Sequence, residues 1–165
     1  MNFQRNVAPL LFAGCLAATT LAPPQAFAQP QQFPDLSAFA ESPTPNQFSR
    51  PDKWANGYMF FRTADGVNCM IGATKTCYGN LPGLAPAETS ACSSVMQDDP
   101  STPFRFNRSD QQCVPATDAV LNPGYKLTFE ARGTTCVVGQ DRLTACIDSW
   151  HNHGFVLQPS GSWTF

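Results

Sequence analysis

The span "DSWHNH", residues 148–153, puts a carboxylate, a hydroxyl and both histidines of the chain side by side. Asp148, Ser149 and His151 are the residue types of an orienter, a nucleophile and a base. His151, His153 and Asp148 are also types that ligate zinc or copper. The two histidines, two apart, would share one face of an extended chain with Asp148 as a third ligand, but the competing reading is a turn in which Gly154 supplies a special backbone conformation. Neighbours in one turn do not reach triad geometry, and the chain has no G-x-S-x-G elbow to present a serine. The adjacent letters HNH are not the nuclease motif either, whose members are spread over a ββα-metal unit. Asp98 and Asp99 are consecutive carboxylates beside Pro100, whereas acid–base work on a glycosidic bond needs carboxylates facing each other across it. The expectation is therefore a non-enzymatic chain with no catalytic, cofactor-binding or metal residues. A small hydrolase or metal-binding protein centred on Asp148, Ser149, His151 and His153 is the alternative.

Tryptophan points to a different use of the same region. Indole faces stack on sugar rings, so Trp150 and Trp163, with His151 and His153, form the candidate ligand surface; the competing use of Trp54, Trp150 and Trp163 is to fill a small core.

What must position these residues is a small exported domain. Arg5 precedes an almost uncharged apolar stretch at 7–21, followed by Pro23, Pro24 and the small-x-small tripeptide Ala26-Phe27-Ala28. That is the order of a secretory signal peptide over residues 1–28, with cleavage expected between Ala28 and Gln29. A competing lipoprotein box, "FAGC", would acylate Cys15. No later stretch is apolar enough for a transmembrane span in the mature chain. Lysine plus arginine number 10 against 12 acidic residues, so no basic footprint exists for nucleic acid. The partners expected are cell-wall polysaccharide or another exported protein.

Residues 29–53 are rich in proline, glutamine and serine and are expected to form an extended linker, with "PDLSAFAES" able to supply one helical turn or an apolar segment that docks on the domain. The folded domain is expected over 54–165. Short strands are predicted at 58–63, 67–71, 76–78, 125–130, 135–138, 143–147 and 155–158, the clearest being "YKLTFE", where Tyr125, Leu127 and Phe129 alternate with polar residues. The segment 79–122, with its many prolines, is expected to be a long loop holding a short helix around 86–96, where Pro86 suits a first turn and Glu88 the positive end of the helix dipole.

A weak repeat organises the cysteines. "FRTADGVNCMIGATKTC" and "FEARGTTCVVGQDRLTAC" each run from phenylalanine through a glycine turn to a cysteine, then to glycine three residues on and a second cysteine. In an antiparallel hairpin, pairing Cys136 with Cys146 sets Val138 opposite Thr144 around a tip at 139–143. Pairing Cys69 with Cys77 sets Ile71 opposite Lys75 around 72–74. Elimination then joins Cys92 to Cys113 across the long loop. No pair has the C-x-x-C spacing that grips zinc. The fold class expected is mainly β: a disulfide-stapled antiparallel domain of two hairpin-like halves with a long loop or short helix between them.

These residues resemble the small, exported, cysteine-stapled domains of unknown function common in actinobacteria, especially mycobacteria. The likeness rests on "FRTADGVNC" at the opening and on "GTTCVVGQDRLTAC" followed by "HGFVLQPSGSWTF" at the close, and does not extend to 79–122. It implies export, an envelope setting and disulfides, and carries over no catalytic residue.

Overall fold

The computed structural model of the chain describes residues 32–50, 52, 57–84 and 92–165. The signal segment, its cleavage site, Cys15 and Trp54 lie outside the described residues.

Among the described residues, eleven strands form two sheets. The first contains, in spatial order, β1 (Ala40–Glu41), β7 (Tyr125–Phe129), β8 (Thr134–Val138), β9 (Thr144–Asp148), β10 (His153–Leu157) and β11 (Trp163–Thr164). The second runs β2 (Met59–Arg62), β3 (Val67–Ile71), β4 (Lys75–Gly79), β5 (Cys92–Gln97) and β6 (Arg105–Ser109). Pairing is antiparallel except where β1 joins β7.

Because side chains alternate across a strand, directly opposed residues share a face, and register decides what meets in the middle. In the second sheet Phe61, Cys69, Cys77 and Val95 make one continuous cross-strand row. In the first sheet the matching row is Leu127, Cys136, Cys146 and Phe155. All eight are buried in one apolar cluster, so the sheets pack face to face through these rows. Phe104 meets Phe155 edge-to-face at 5.1 Å across the interface, which adds about 1 kcal/mol to simple burial.

Among the described residues, three disulfides join Cys69 to Cys77 and Cys136 to Cys146, as the hairpin spacing implies, and Cys92 to Cys113, as elimination implies. On the chain-entropy account each stabilises by roughly 2.5 to 3.5 kcal/mol. The repeat holds at the cysteines and glycines but slips at the phenylalanines. Phe61 faces Cys69, whereas Leu127, not Phe129, faces Cys136. The cause is the tight helical turn Glu130–Arg132, which ends on Gly133 at φ 57° and lengthens the second turn.

The middle of the chain departs from expectation. The helix expected around 86–96 is replaced over its second part by strand β5, whose residues alternate between half-buried and buried. Ser93, Val95 and Gln97 point inward, a period of two that no helix accommodates; residues 86–91 lie outside the described set. Strand β6 was not anticipated. Further on, Arg62 N–H donates to Ala119 O at 3.0 Å and Leu121 N–H to Arg62 O at 2.9 Å, so residues 119–121 are zipped to the outer edge of β2.

Residues 32–50, read from composition as linker, lie on the domain, and the compact unit begins at Gln32 rather than near 54. Asp35 caps the turn Leu36–Ala38 by accepting from Ser37 N–H. Phe33, Leu36 and Phe39 then pack on Val137, Ala145 and Val156, the outward face of the first sheet. Phe48 is only 1% exposed within the core between the sheets. The segment stays because these aromatic side chains bury more apolar surface than its ordering costs.

Candidate functional site

The site grows from one register fact. Cys77 faces the interior, so Lys75, two residues earlier on β4, faces it as well; Asp148 stands in the same relation to Cys146 on β9. The two side chains meet between the sheets, Lys75 Nζ to Asp148 Oδ2 at 2.9 Å, with side chains 2% and 1% exposed. Gln97, opposite Lys75 on β5, accepts from the same ammonium through Oε1 at 2.9 Å. Its amide nitrogen donates to Thr102 O at 2.8 Å and to Pro100 O at 3.3 Å, so the buried charge sits in a satisfied network.

Asp148 then organises the turn that follows it. Its Oδ1 accepts from Trp150 N–H at 3.0 Å and His151 N–H at 3.3 Å, and its Oδ2 contacts His151 Nδ1 at 3.2 Å. Burial alone would push this carboxyl up. The hydrogen bonds from Lys75 and His151, with the ammonium charge, outweigh burial and hold it below the usual 3.8. Ser149 closes the turn from the other side, its backbone N–H and its hydroxyl both donating to Gly133 O, at 2.8 and 2.9 Å.

Trp150 is thereby fixed and exposed at once. It is 64% exposed, and its indole lies against Gly133, where an added Cβ would come within 2.6 Å of the ring. Beside it opens a cavity of about 290 Å³ lined by Arg132, His151, Asp99 and Ser101, with Lys75 and Asp148 at its base. Asp99 accepts from Ser101 N–H and hydroxyl at 2.8 and 2.6 Å, and the Ser101 hydroxyl's bond leads the causes that keep its carboxyl below the usual range. Its neighbour Asp98 pairs instead with Arg105 at 2.6 Å, so the two consecutive carboxylates serve different partners.

The residues expected to form a ligand surface divide. Trp150 and His151 flank the cavity together. His153, directly opposite Asp148 on β10, is half-buried on the same face of the sheet. Trp163 is not with them: it opposes Val156 on β11 and packs with Phe33, Leu36 and Phe39 on the outward face, so it fills a core. The Ser149 hydroxyl is committed to Gly133 O rather than to His151, which removes the nucleophile from the triad letters. No group of three or more metal-ligating side chains occurs among the described residues.

A larger depression of about 510 Å³ lies beside the 63–66 turn and the Cys113–Ala116 stretch. Among the described residues the only ionisable side chain lining it is Arg62, whose Nε already donates to Asp118 O at 3.0 Å, so we place the chemistry at the smaller cavity. Lys75, Gln97, Arg132 and Gly133 were not anticipated as parts of the site. The pairing of Ile71 with Lys75 and the inward direction of Cys77 were signal enough to aim Lys75 into the core.

Searched against family models, curated proteins and solved structures, the chain matches none.

Proposed function

We propose that this chain is an exported, non-enzymatic binding module that holds cell-envelope polysaccharide through Trp150 and the adjoining cavity. The observation that carries this reading is the exposed indole on a turn pinned by Asp148 and Gly133. A large apolar face held rigid before contact loses little entropy on binding, which is how a single tryptophan comes to dominate an interface. Arg132, His151 and Asp99 add donors and an acceptor at the rim, the complement of a ring bearing hydroxyls. The disulfides and the secretory pattern of residues 1–28 are consistent with an oxidising, extracytoplasmic setting. The test is sedimentation of the purified chain with insoluble wall polysaccharide. Trp150→Ala weakens binding about 30-fold with an unchanged melting temperature; undiminished binding refutes the reading. Gly133→Ala, which drives a methyl group into the indole, weakens binding as well.

A second reading, a small hydrolase, draws on the Asp148–His151 contact, which has the arrangement of an orienter and a general base. It predicts turnover of an ester, peptide or glycan that disappears in His151→Ala while polysaccharide binding persists.

A further inference from the structure

We propose that Lys75 and Asp148 become joined by an amide bond between their side chains, a covalent tie from one sheet to the other. The inference is independent of what Trp150 binds.

An amine condenses with a carboxyl group only if the nitrogen is held against the carbon, water is kept away, and charge developing on the carbonyl oxygen is met by donors. All three conditions are present here. The ammonium and the carboxylate are almost wholly buried, and Lys75 Nζ is held 2.9 Å from Asp148 Oδ2, against the carboxyl group it would attack. The two carboxyl oxygens are treated differently. Oδ1 accepts two backbone N–H groups, from Trp150 and His151, the arrangement that stabilises an oxyanion. Oδ2 faces Lys75 Nζ and His151 Nδ1, the two groups able to deliver protons to a departing oxygen.

The step balances within the pair. One proton passes from the Lys75 ammonium to Asp148 Oδ2, turning an ion pair into an amine and an acid, which burial disfavours far less than it would in water. The free Nζ electron pair attacks the carboxyl carbon, and Oδ1 carries the negative charge against the two N–H groups. His151 relays the second nitrogen proton to the hydroxyl at Oδ2. The bond from carbon to Oδ2 breaks, one water molecule leaves through the cavity lined by both residues, and His151 ends as it began. No oxidant or co-reactant is needed. Gln97, accepting from Nζ through Oε1, keeps the nitrogen in place throughout.

Mass spectrometry decides the matter. The secreted chain, with disulfides reduced and alkylated under denaturing conditions, is expected to weigh less than its residues by one water molecule. Trypsin is expected to leave Lys75 uncut and to yield a branched peptide joining the segment of Lys75 to that of Asp148. An aspartyl succinimide loses the same mass, so a mass deficit without the branched peptide overturns the proposal. So does the full mass in protein whose disulfides have all formed. In chain refolded from the reduced state, His151→Ala forms the branched peptide about 100-fold more slowly than wild type; an equal rate removes the relay from His151.

Discussion

Lys75 and Asp148, distant in sequence and in different sheets, share a hydrogen bond of 2.9 Å in the buried interior. Losing one partner leaves the other charge without compensation, and that penalty exceeds what the pair contributes over an apolar substitute. Lys75→Met is therefore expected to cost about 3–5 kcal/mol, read as a fall in denaturant midpoint. Adding Asp148→Asn, which removes the charge but keeps an oxygen for the Trp150 turn, recovers part of the loss. An unchanged midpoint in Lys75→Met contradicts the burial described.

Among the described residues the core contains one polar flaw. Thr144 Oγ1 is buried and has no hydrogen-bond partner, and the residues opposite it are Val138 and Leu157. Valine has nearly the same shape without the unmet hydroxyl. Thr144→Val is expected to stabilise by about 1 kcal/mol, a rise in Tm of about 4 °C by calorimetry. A fall in Tm shows that the hydroxyl has a partner after all.

Acid is expected to loosen the strap at 32–50 through Asp35. The Ser37 backbone N–H, then its hydroxyl, hold this carboxyl below its ordinary 3.8. A group depressed in the folded state contributes stability above its unfolded value, and the contribution is lost as pH falls through the folded one. The Tm difference between wild type and Asp35→Ala should then be constant at neutral pH and shrink as pH drops below 3.8. A difference that stays level into strong acid rules out the cap.

The disulfides should differ in reactivity. Cys69, Cys77, Cys136 and Cys146 are buried between the sheets, whereas Cys92 and Cys113 are both half-exposed. Exchange needs access for the attacking thiolate. Limited reduction of native protein, followed by alkylation and peptide mapping, should label Cys92 and Cys113 first, with the interior cysteines labelled only on unfolding. Simultaneous labelling means that the molecule opens globally before any bridge is reached.

The hairpins were legible because their signals are local. Glycine and cysteine spacing places Cys69 against Cys77 and Cys136 against Cys146, and the structure keeps both registers. Strands β5 and β6 were hidden by composition: the inward residues of "CSSVMQ" include Ser93 and Gln97, and "RFNRS" is mostly exposed, so no hydropathy pattern marks either as core. The strap was only half legible: "PDLSAFAES" offered a helical turn or a docking segment, but its aromatic side chains have no period and only the finished sheets supply the faces they cover. Trp150 was picked out by residue type, but its support by Gly133 depends on a left-handed residue closing a turn of the neighbouring hairpin. Arg142, exposed at its hairpin tip, also pairs with Asp65 at 3.2 Å, a meeting of turns set only by how the two sheets pack.

The way the sheet margins are finished bears on how copies of this chain behave when crowded. A bare strand invites a neighbour to continue its ladder and so seeds fibres. The first sheet ends on both sides in two-residue strands, β1 and β11, too short to template a partner. On the second, β2 has its rungs taken by 119–121, leaving β6 as the long unpaired margin among the described strands. That margin carries the exposed Arg108, and Arg105 beside its ion-pair partner Asp98, so a second copy adding to the edge must desolvate charged side chains. Protection of this margin therefore leans on its charged side chains, and replacing those two arginines with valine would turn a protected rim into a nucleus for assembly.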